Sequence, residues 1–190
     1  MTTKRNIDLR DGIFFITFTC YQWFSLIEIT KSYDLVYNWF EVLIGKGHQV
    51  AGYVIMPNHL HVLIGLKNSN QTINTIVSNG KRFMAYDIIK RLRKMENHEI
   101  LTKLKANITM REKSKDQLHR VFEHGFDVKI CESAWFIEQK LNYMHLNPCS
   151  KNWKLVDNPI DYNHSSMRFY ETFHPNIKSK LTPYTAMFEI

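Results

Sequence analysis

The sequence predicts an α+β protein with a ferredoxin-like sandwich fold, in which an antiparallel sheet carries helices packed on one face. Segments rich in β-branched and aromatic residues alternate with segments of helical periodicity, in the order strand, helix, strand, strand, helix, strand, helix. The 190 residues fit one domain with one real core, so we expect a single domain over residues 1–190.

The first half of the chain carries the clearest pattern. Gly12 to Thr19 is a run of strand-forming residues, and helical spacing follows from about Ser32 to Lys46. Gln49 to Met56 is the next strand. Pro57-Asn58 separates it from a strand over His59 to Gly65, which indicates that the two strands are antiparallel neighbours.

Two further helices begin at residues that cap helices well. Thr72 precedes an apolar stripe that continues toward Leu92, and Ser133 precedes a helix that ends at Pro148. Between them, residues 121–130 predict a fourth strand with a glycine break. From about residue 150 we expect an irregular, aromatic-rich tail packed on the domain.

A basic insertion lies at about residues 90–120, which contain ten basic and four acidic residues. Such a charge cluster fits two roles. In one role the insertion contacts the phosphate backbone of DNA. In the other it is an inserted helical pair that packs through Ile100, Leu101 and Leu104.

Composition limits the classes of function. The net charge of +7 favours an anionic partner, above all nucleic acid. No apolar run approaches the ~18 residues that span a bilayer, and the first residues lack a hydrophobic signal core. The three cysteines, Cys20, Cys131 and Cys149, form no disulfide or zinc pattern, so we expect a cytoplasmic protein with no membrane partner.

His59 and His61 are the first candidate site residues. Successive side chains of a strand alternate between its faces, so this pair projects to one side, opposite Leu60, Val62 and Ile64. Two imidazoles can then bind one ion and leave coordination positions for a phosphate oxygen. The alternative is a pair of structural histidines with satisfied hydrogen bonds.

The last predicted helix presents a second polar group. At about 100° per residue, Gln139, Tyr143 and Asn147 share a narrow sector opposite the apolar Leu141. A phenol and an amide one turn apart therefore face away from the apolar stripe. Taken by itself, a tyrosine such as Tyr143 is more often a packing residue whose hydroxyl is hydrogen-bonded. We interpret His145 as structural.

Four segments together resemble the HUH endonuclease superfamily, specifically the single-tyrosine transposases of small insertion sequences and their REP-associated tyrosine transposase relatives. The segments are Phe15-Ile16-Thr17-Phe18-Thr19, Val54-Ile55-Met56-Pro57-Asn58-His59-Leu60-His61, Tyr143-Met144-His145-Leu146-Asn147-Pro148 and Asp161-Tyr162-Asn163-His164-Ser165-Ser166. They look like the first strand, the metal-binding signature, the end of the catalytic helix and a Trp-Ser-Ser-type motif. In the last of these, Asn163-His164 stands where a tryptophan is usual.

The resemblance implies a metal-dependent endonuclease and strand transferase that acts on single-stranded, hairpin or palindromic DNA. Tyr143 would attack a phosphodiester and become joined to the 5′ phosphate, while His59, His61 and Asn147 would hold Mg or Mn. The basic residues that we expect to contact DNA are Lys81, Arg82, Lys103, Lys105, Arg111 and Lys113.

Two other functions remain open from the sequence. One is a DNA-binding protein of the same ancestry that does not cleave, and the other is a metal-dependent phosphoesterase that uses water. A homodimer and a single chain are both open as the unit that completes the site. Trp23, Trp135 and Trp153 either stack on unpaired bases, as in single-strand binders, or are buried.

Overall fold

The computed structural model describes residues 9–106, 108–110, 117–172 and 180–188. Four strands form its sheet: β1 Gly12–Thr19, β2 Gln49–Ile55, β3 His59–Leu66 and β4 Asp127–Ile130. The α-helices that lie in these ranges are α1 Leu26–Ile29, α2 Tyr33–Gly45, α3 Ile73–Lys94, α4 His98–Ala106, α5 Ala134–Leu146 and α6 Met167–Thr172. None of these helices is both long enough and apolar enough to cross a membrane.

The sheet is antiparallel throughout, with the strand order β2-β3-β1-β4. This order and the sequence of elements confirm the predicted α+β class. Strand β3 lies between two partners, and its residue His61 faces Thr17 of β1 and Val54 of β2. The histidines therefore lie on a strand that hydrogen bonds hold on both edges.

Both faces of the sheet are covered. Leu60, Val62 and Ile64 belong to a large apolar cluster that includes residues of α2 and α3. The opposite face carries a smaller cluster, in which β-strand residues meet Leu141 and Met144 of α5 and residues of the tail. The sequence predicts helices on one face, whereas in the structure α5 covers the other face as well. All eight residues of β3 are buried, so both of its faces need a covering layer.

Side-chain caps set the starts of the two longest helices after β3. The Thr72 hydroxyl accepts a hydrogen bond from the Thr75 amide at 3.2 Å, and the Ser133 hydroxyl accepts one from the Phe136 amide at 3.3 Å. Each bond satisfies an amide that has no partner within its helix. Both predicted caps are confirmed.

The fourth strand is shorter than the predicted span of 121–130. Gly125 has a φ of 76°, and the pairing with β1 begins only at Asp127. Before that turn, Phe122 forms an isolated bridge with Cys20. The glycine break therefore separates a bridge from a four-residue strand rather than interrupting one long strand.

The basic insertion contains α4, which packs on the larger cluster through Leu104, Ile100 and Leu101. This contact agrees with the packed alternative for this segment. Arg111 and Lys113 lie outside the described residues. Cys20, Cys131 and Cys149 are free thiols.

Candidate active site

The imidazoles of His59 and His61 lie side by side on the sheet face that α5 covers. Their ring centroids are 4.8 Å apart and both side chains are buried. The strand alternation that predicts this arrangement also places Leu63 beside them on the same face. The pair is therefore close enough to bind one ion.

Asn58 fixes the orientation of His59. Its amide nitrogen donates to the Trp23 carbonyl at 2.9 Å, which leaves Oδ1 facing His59 Nδ1 at 2.7 Å. Because an amide oxygen only accepts, Nδ1 of His59 carries the proton and Nε2 keeps a lone pair. This is the tautomer that binds a metal through Nε2.

His61 has the same tautomer for a different reason. The amide nitrogen of Asn147 lies 3.2 Å from His61 Nε2, and since that nitrogen only donates, Nε2 is the acceptor. The Nδ1 proton is then donated to the hydroxyl of Thr17 at 2.6 Å. Thr17 and Asn147 thus hold the ring from opposite sides.

Burial keeps both imidazoles neutral. It lowers the pKa of His59 to about 4 and that of His61 to about 3, where the neighbouring His59 and Lys140 lower it further. Neutral imidazole is the form that binds metal ions. At neutral pH the pair is therefore ready to act as ligands without losing protons.

Helix α5 places Tyr143 against this pair. Its ring centroid is 5.3 Å from that of His61 and 6.3 Å from that of Phe15, with edge-to-face geometry in both contacts. Leu141 is buried in the smaller cluster, as its place on the apolar stripe requires, whereas Tyr143 is 54% exposed. A side chain in this position is accessible to a large molecule.

The structure therefore brings together His59, His61, Tyr143 and Asn147, the four residues that the sequence proposed for chemistry. Asn147 Oδ1 is buried and has no hydrogen-bond partner among the described residues. An orphaned acceptor of this kind costs free energy unless a ligand satisfies it. Rotation of the amide would exchange its nitrogen and oxygen, so an oxygen donor would join the two imidazoles.

This set of two nitrogens and one oxygen fits a divalent ion of the Mn or Mg type, and it leaves room for substrate oxygens. The described residues contain no cluster of three His, Cys, Asp or Glu side chains. The amide of Asn147 is therefore essential to the proposed ligand set.

Lys140 is a site residue that the sequence interpretation missed. Its ammonium lies 5.5 Å from the centre of the Phe15 ring and 4.8 Å from that of Phe136. Lys140 precedes Tyr143 by three residues, so helical spacing puts both on neighbouring positions of one face. This spacing is the sequence signal that could have identified Lys140. Thr17 and Asn58 were also missed, and only the strand register reveals Thr17.

Residues of the C-terminal tail form hydrogen bonds with both α5 and the sheet. The Ser166 hydroxyl accepts a hydrogen bond from the Tyr53 amide at 2.9 Å and lies 2.8 Å from Nε2 of the buried His145. This contact confirms that His145 is structural. Ser165 and Ser166, from the predicted serine motif, are fully buried, and Ser165 pairs with Val54. The motif thus stabilises the position of the helix that carries Tyr143.

The predicted DNA contacts differ in accessibility. Lys81 is turned inward, where its ammonium donates to the carbonyls of Glu123, at 2.9 Å, and Gly125, and burial lowers its pKa to about 8. Backbone carbonyls therefore engage this ammonium, and a contact between Lys81 and DNA stays a prediction. Arg82, Lys103 and Lys105 are exposed.

The fold of this chain has counterparts among solved structures. A REP-associated tyrosine transposase bound to a REP hairpin is similar over 98% of this chain and 96% of that chain, with a TM-score of 0.57 and 14% identity. A Deinococcus radiodurans R1 protein assigned as a transposase is similar over 75% of this chain and 95% of that chain, with a TM-score of 0.45 and 12% identity. No family model and no curated protein matches the sequence. The first likeness shows that the two chains share a fold.

Proposed function

We propose that this protein is a metal-dependent endonuclease and strand transferase of the transposase type, acting on single-stranded or hairpin DNA. The observation that carries the proposal is the position of the exposed Tyr143 ring, which lies 5.3 Å from the ring of His61. His61 also contacts the amide nitrogen of Asn147, whose oxygen is buried without a hydrogen-bond partner among the described residues. A nucleophile and a ligand set for a cation thus occupy the same small surface.

The proposed reaction is a phosphoryl transfer from the 3′ oxygen of the DNA to the Tyr143 oxygen. The Tyr143 oxygen attacks the phosphorus, a Tyr–O–P bond to the 5′ phosphate forms, and the bond from phosphorus to the 3′ oxygen breaks. The phenol proton passes to solvent and the leaving oxygen takes up a proton to become a 3′ hydroxyl. Because the phosphodiester energy is kept in the phosphotyrosine, a second 3′ hydroxyl can reverse the step and join a new strand.

His59, His61 and Asn147 would hold the divalent ion, which supplies polarisation of the phosphate and a template for in-line attack when bound. Lys140 contributes a positive charge beside Tyr143, where negative charge develops on the phosphate oxygens. The aromatic ring of Phe15 stacks on His61 at 5.5 Å and limits the movement of that imidazole.

DNA is the proposed partner for two reasons. The net charge of +7 supplies phosphate contacts, and the structural neighbour is a transposase bound to a DNA hairpin. A phosphodiester must also approach a site on the sheet face beside α5, which an unpaired strand does more easily than a duplex. We therefore expect higher affinity for a hairpin with unpaired flanks than for a blunt duplex at equal salt.

The test is a search for the covalent adduct. The protein is incubated with Mn and candidate hairpin oligonucleotides that carry a label at either the 3′ or the 5′ end, and the products are separated under denaturing conditions. The 3′-labelled strand should migrate with the protein and the 5′-labelled strand should be released, with mass spectrometry placing the link at Tyr143. Tyr143→Phe should abolish the adduct, whereas Tyr86→Phe, which changes another exposed tyrosine on α3, should not.

Other results would support the competing functions. Metal-dependent cleavage that persists in Tyr143→Phe and leaves no adduct would indicate a phosphoesterase that uses water. Hairpin binding without cleavage by the unaltered protein would indicate a DNA-binding protein that has lost the reaction.

A further inference from the structure

Trp23 is an exposed aromatic residue at the edge of the candidate site. Its side chain is 63% exposed, and its ring centroid lies 6.1 Å from that of His59. The half-buried Trp153 lies on the same imidazole, at 5.6 Å. His59 thus has two indoles as neighbours, and the indole of Trp23 is the one that faces solvent.

The backbone that presents Trp23 is held in a disfavoured conformation. Gln22 and Trp23 have φ angles of 50° and 58°, in the left-handed region that side chains of this size rarely adopt. The Gln22 amide donates to the Glu123 carboxylate at 2.8 Å, and Asn58 donates to the Trp23 carbonyl at 2.9 Å. These bonds hold the backbone of the turn that presents the exposed indole.

One side chain connects this turn to the proposed metal ligand. The amide of Asn58 binds the Trp23 carbonyl through its nitrogen and His59 through its oxygen. The backbone that carries the indole is therefore linked to the imidazole through one side chain. A group that stacks on Trp23 would lie next to the proposed metal ligand His59.

Two cations lie near the turn, besides the Glu123 carboxylate that accepts from Gln22 and the Glu99 carboxylate that pairs with Lys103. The Lys103 ammonium lies 5.8 Å from the centre of the Phe24 ring, and the Arg120 guanidinium lies 5.2 Å from that of Tyr21. Each cation contacts a ring that lies within two residues of Trp23 in the sequence. An exposed aromatic ring with cations nearby is the arrangement by which single-stranded nucleic acids are bound, through base stacking and phosphate contacts.

We infer that Trp23 is a base-stacking residue, which receives the unpaired nucleobase next to the phosphodiester that Tyr143 attacks. The inference rests on the proposed function and deepens it, because it assigns the residue that positions the strand. Trp23 is a positioning residue and takes no part in bond making.

The test measures binding, so that it does not depend on cleavage. A fluorescently labelled DNA hairpin with short oligo(dT) flanks is titrated with Trp23→Ala, Trp23→Phe and Trp135→Ala, all in a Tyr143→Phe background. Trp135 is the matched control, because it is 65% exposed and makes no ring contact with the site histidines. Thermal unfolding followed by circular dichroism establishes that each variant is folded.

Stacking of one base predicts an affinity loss of roughly 5- to 150-fold for Trp23→Ala. We expect a smaller loss for Trp23→Phe and no loss for Trp135→Ala. The same hairpins are then made with an abasic residue at each flank position in turn. At one position the abasic residue should weaken binding by the parent but not by Trp23→Ala, since both changes remove the same contact.

Equal affinities for Trp23→Ala and Trp135→Ala would overturn the inference, as would a loss in Trp23→Ala that no abasic position abolishes. Self-association of the parent that Trp23→Ala removes would assign the indole to an interface between copies and also overturn it. If the adduct forms but Trp23→Ala and the abasic residue act independently, the proposed function stands and the role of Trp23 is rejected. If the two changes are coupled but no adduct forms, only the tyrosine chemistry is rejected. Failure to bind any DNA would reject both proposals.

Discussion

The Nδ1 atom of His61 and the hydroxyl oxygen of Thr17 lie 2.6 Å apart across the β1–β3 strand pair. Because Asn147 donates to the other ring nitrogen, the proton lies on Nδ1, where the Thr17 hydroxyl accepts it, and the Nε2 lone pair faces the site. A residue of the neighbouring strand thereby helps to hold His61 in the orientation that a ligand needs.

Thr17→Val should therefore weaken metal binding without changing the fold. Valine keeps the branched shape but removes the oxygen, and loss of such an orienting partner lowers metal affinity by about 10- to 100-fold. Titration with Mn, followed by calorimetry, measures the change. Thr102→Val, the same replacement at an exposed position on α4, is the control.

His61→Ala should have a larger effect on the same measurement and should reduce adduct formation greatly. Excess Mn should restore part of the activity, because His59 and Asn147 still form a weaker site. Unchanged Mn affinity in both His61→Ala and Thr17→Val would show that the ion, if required, is bound elsewhere.

Lys140→Gln should slow adduct formation by roughly 10- to 100-fold at saturating DNA, because it removes a positive charge from the surroundings of the reacting phosphate. Lys140→Arg should keep much of the rate. The measurement is the single-turnover rate of adduct formation, and Lys90→Gln, which neutralises an exposed lysine on α3, is the control. Equal rates for Lys140→Gln and Lys90→Gln would assign Lys140 to packing on Phe15 and Phe136.

Neutralising Lys103, Lys105, Arg111 and Lys113 together should weaken DNA binding and leave the chemical step unchanged. Each lost phosphate contact should lower the steepness of log K against log salt by about 0.7 to 0.9. Fluorescence anisotropy over a salt series measures this slope. The exposed ion pair between Lys103 and Glu99 should make little difference to stability.

The double variant of Lys46 and Lys67, two exposed lysines outside the basic insertion, is the control and should not change the salt dependence. A drop in stability with unchanged binding per folded molecule would instead favour the structural role of the insertion.

The free energy of unfolding should fall as the pH is lowered from about 6.5 toward 4. Burial lowers the pKa of His145 to about 4, as it does for the two site histidines. In this window the unfolded chain binds protons that the folded chain does not, so protonation favours unfolding. A pKa difference of one unit corresponds to about 1.4 kcal/mol, which makes the contribution of His145 alone on the order of 3 kcal/mol.

Denaturant unfolding in EDTA at a series of pH values tests this expectation. His145→Gln, which has no titrating group, should show a shallower decline than the parent. Parallel declines would mean that the pKa of His145 is the same in the folded and the unfolded chain.

The elements of the fold could be predicted because their signals are local. Strand alternation at His59 and His61, helical spacing from Leu141 to Asn147, and the caps at Thr72 and Ser133 each depend on a few neighbouring residues. The structure reproduces all of them. The proximity of Tyr143 to the histidine pair followed from a resemblance of motifs and not from spacing alone.

Features that depend on distant contacts could not be predicted in this way. Helical periodicity places Lys81 off the apolar stripe, but it does not reveal that the carbonyls of Glu123 and Gly125 cover its ammonium. The pairing of Thr17 with His61 requires the strand register, and the placement of α5 on the second face requires knowledge of which strands are buried on both sides.

The smaller apolar cluster has a consequence for how activity responds to stress. It joins α5 to the sheet, whereas α2 and α3 pack on the opposite face through the larger cluster. Local detachment of α5 would separate Tyr143 from His61 while the other face remains packed, and such openings require less free energy than global unfolding. DNA cutting should therefore cease at a lower temperature than the loss of secondary structure. Between these temperatures the exposed lysines of α4 would keep their positions, so the proposed DNA binding should outlast the proposed cleavage.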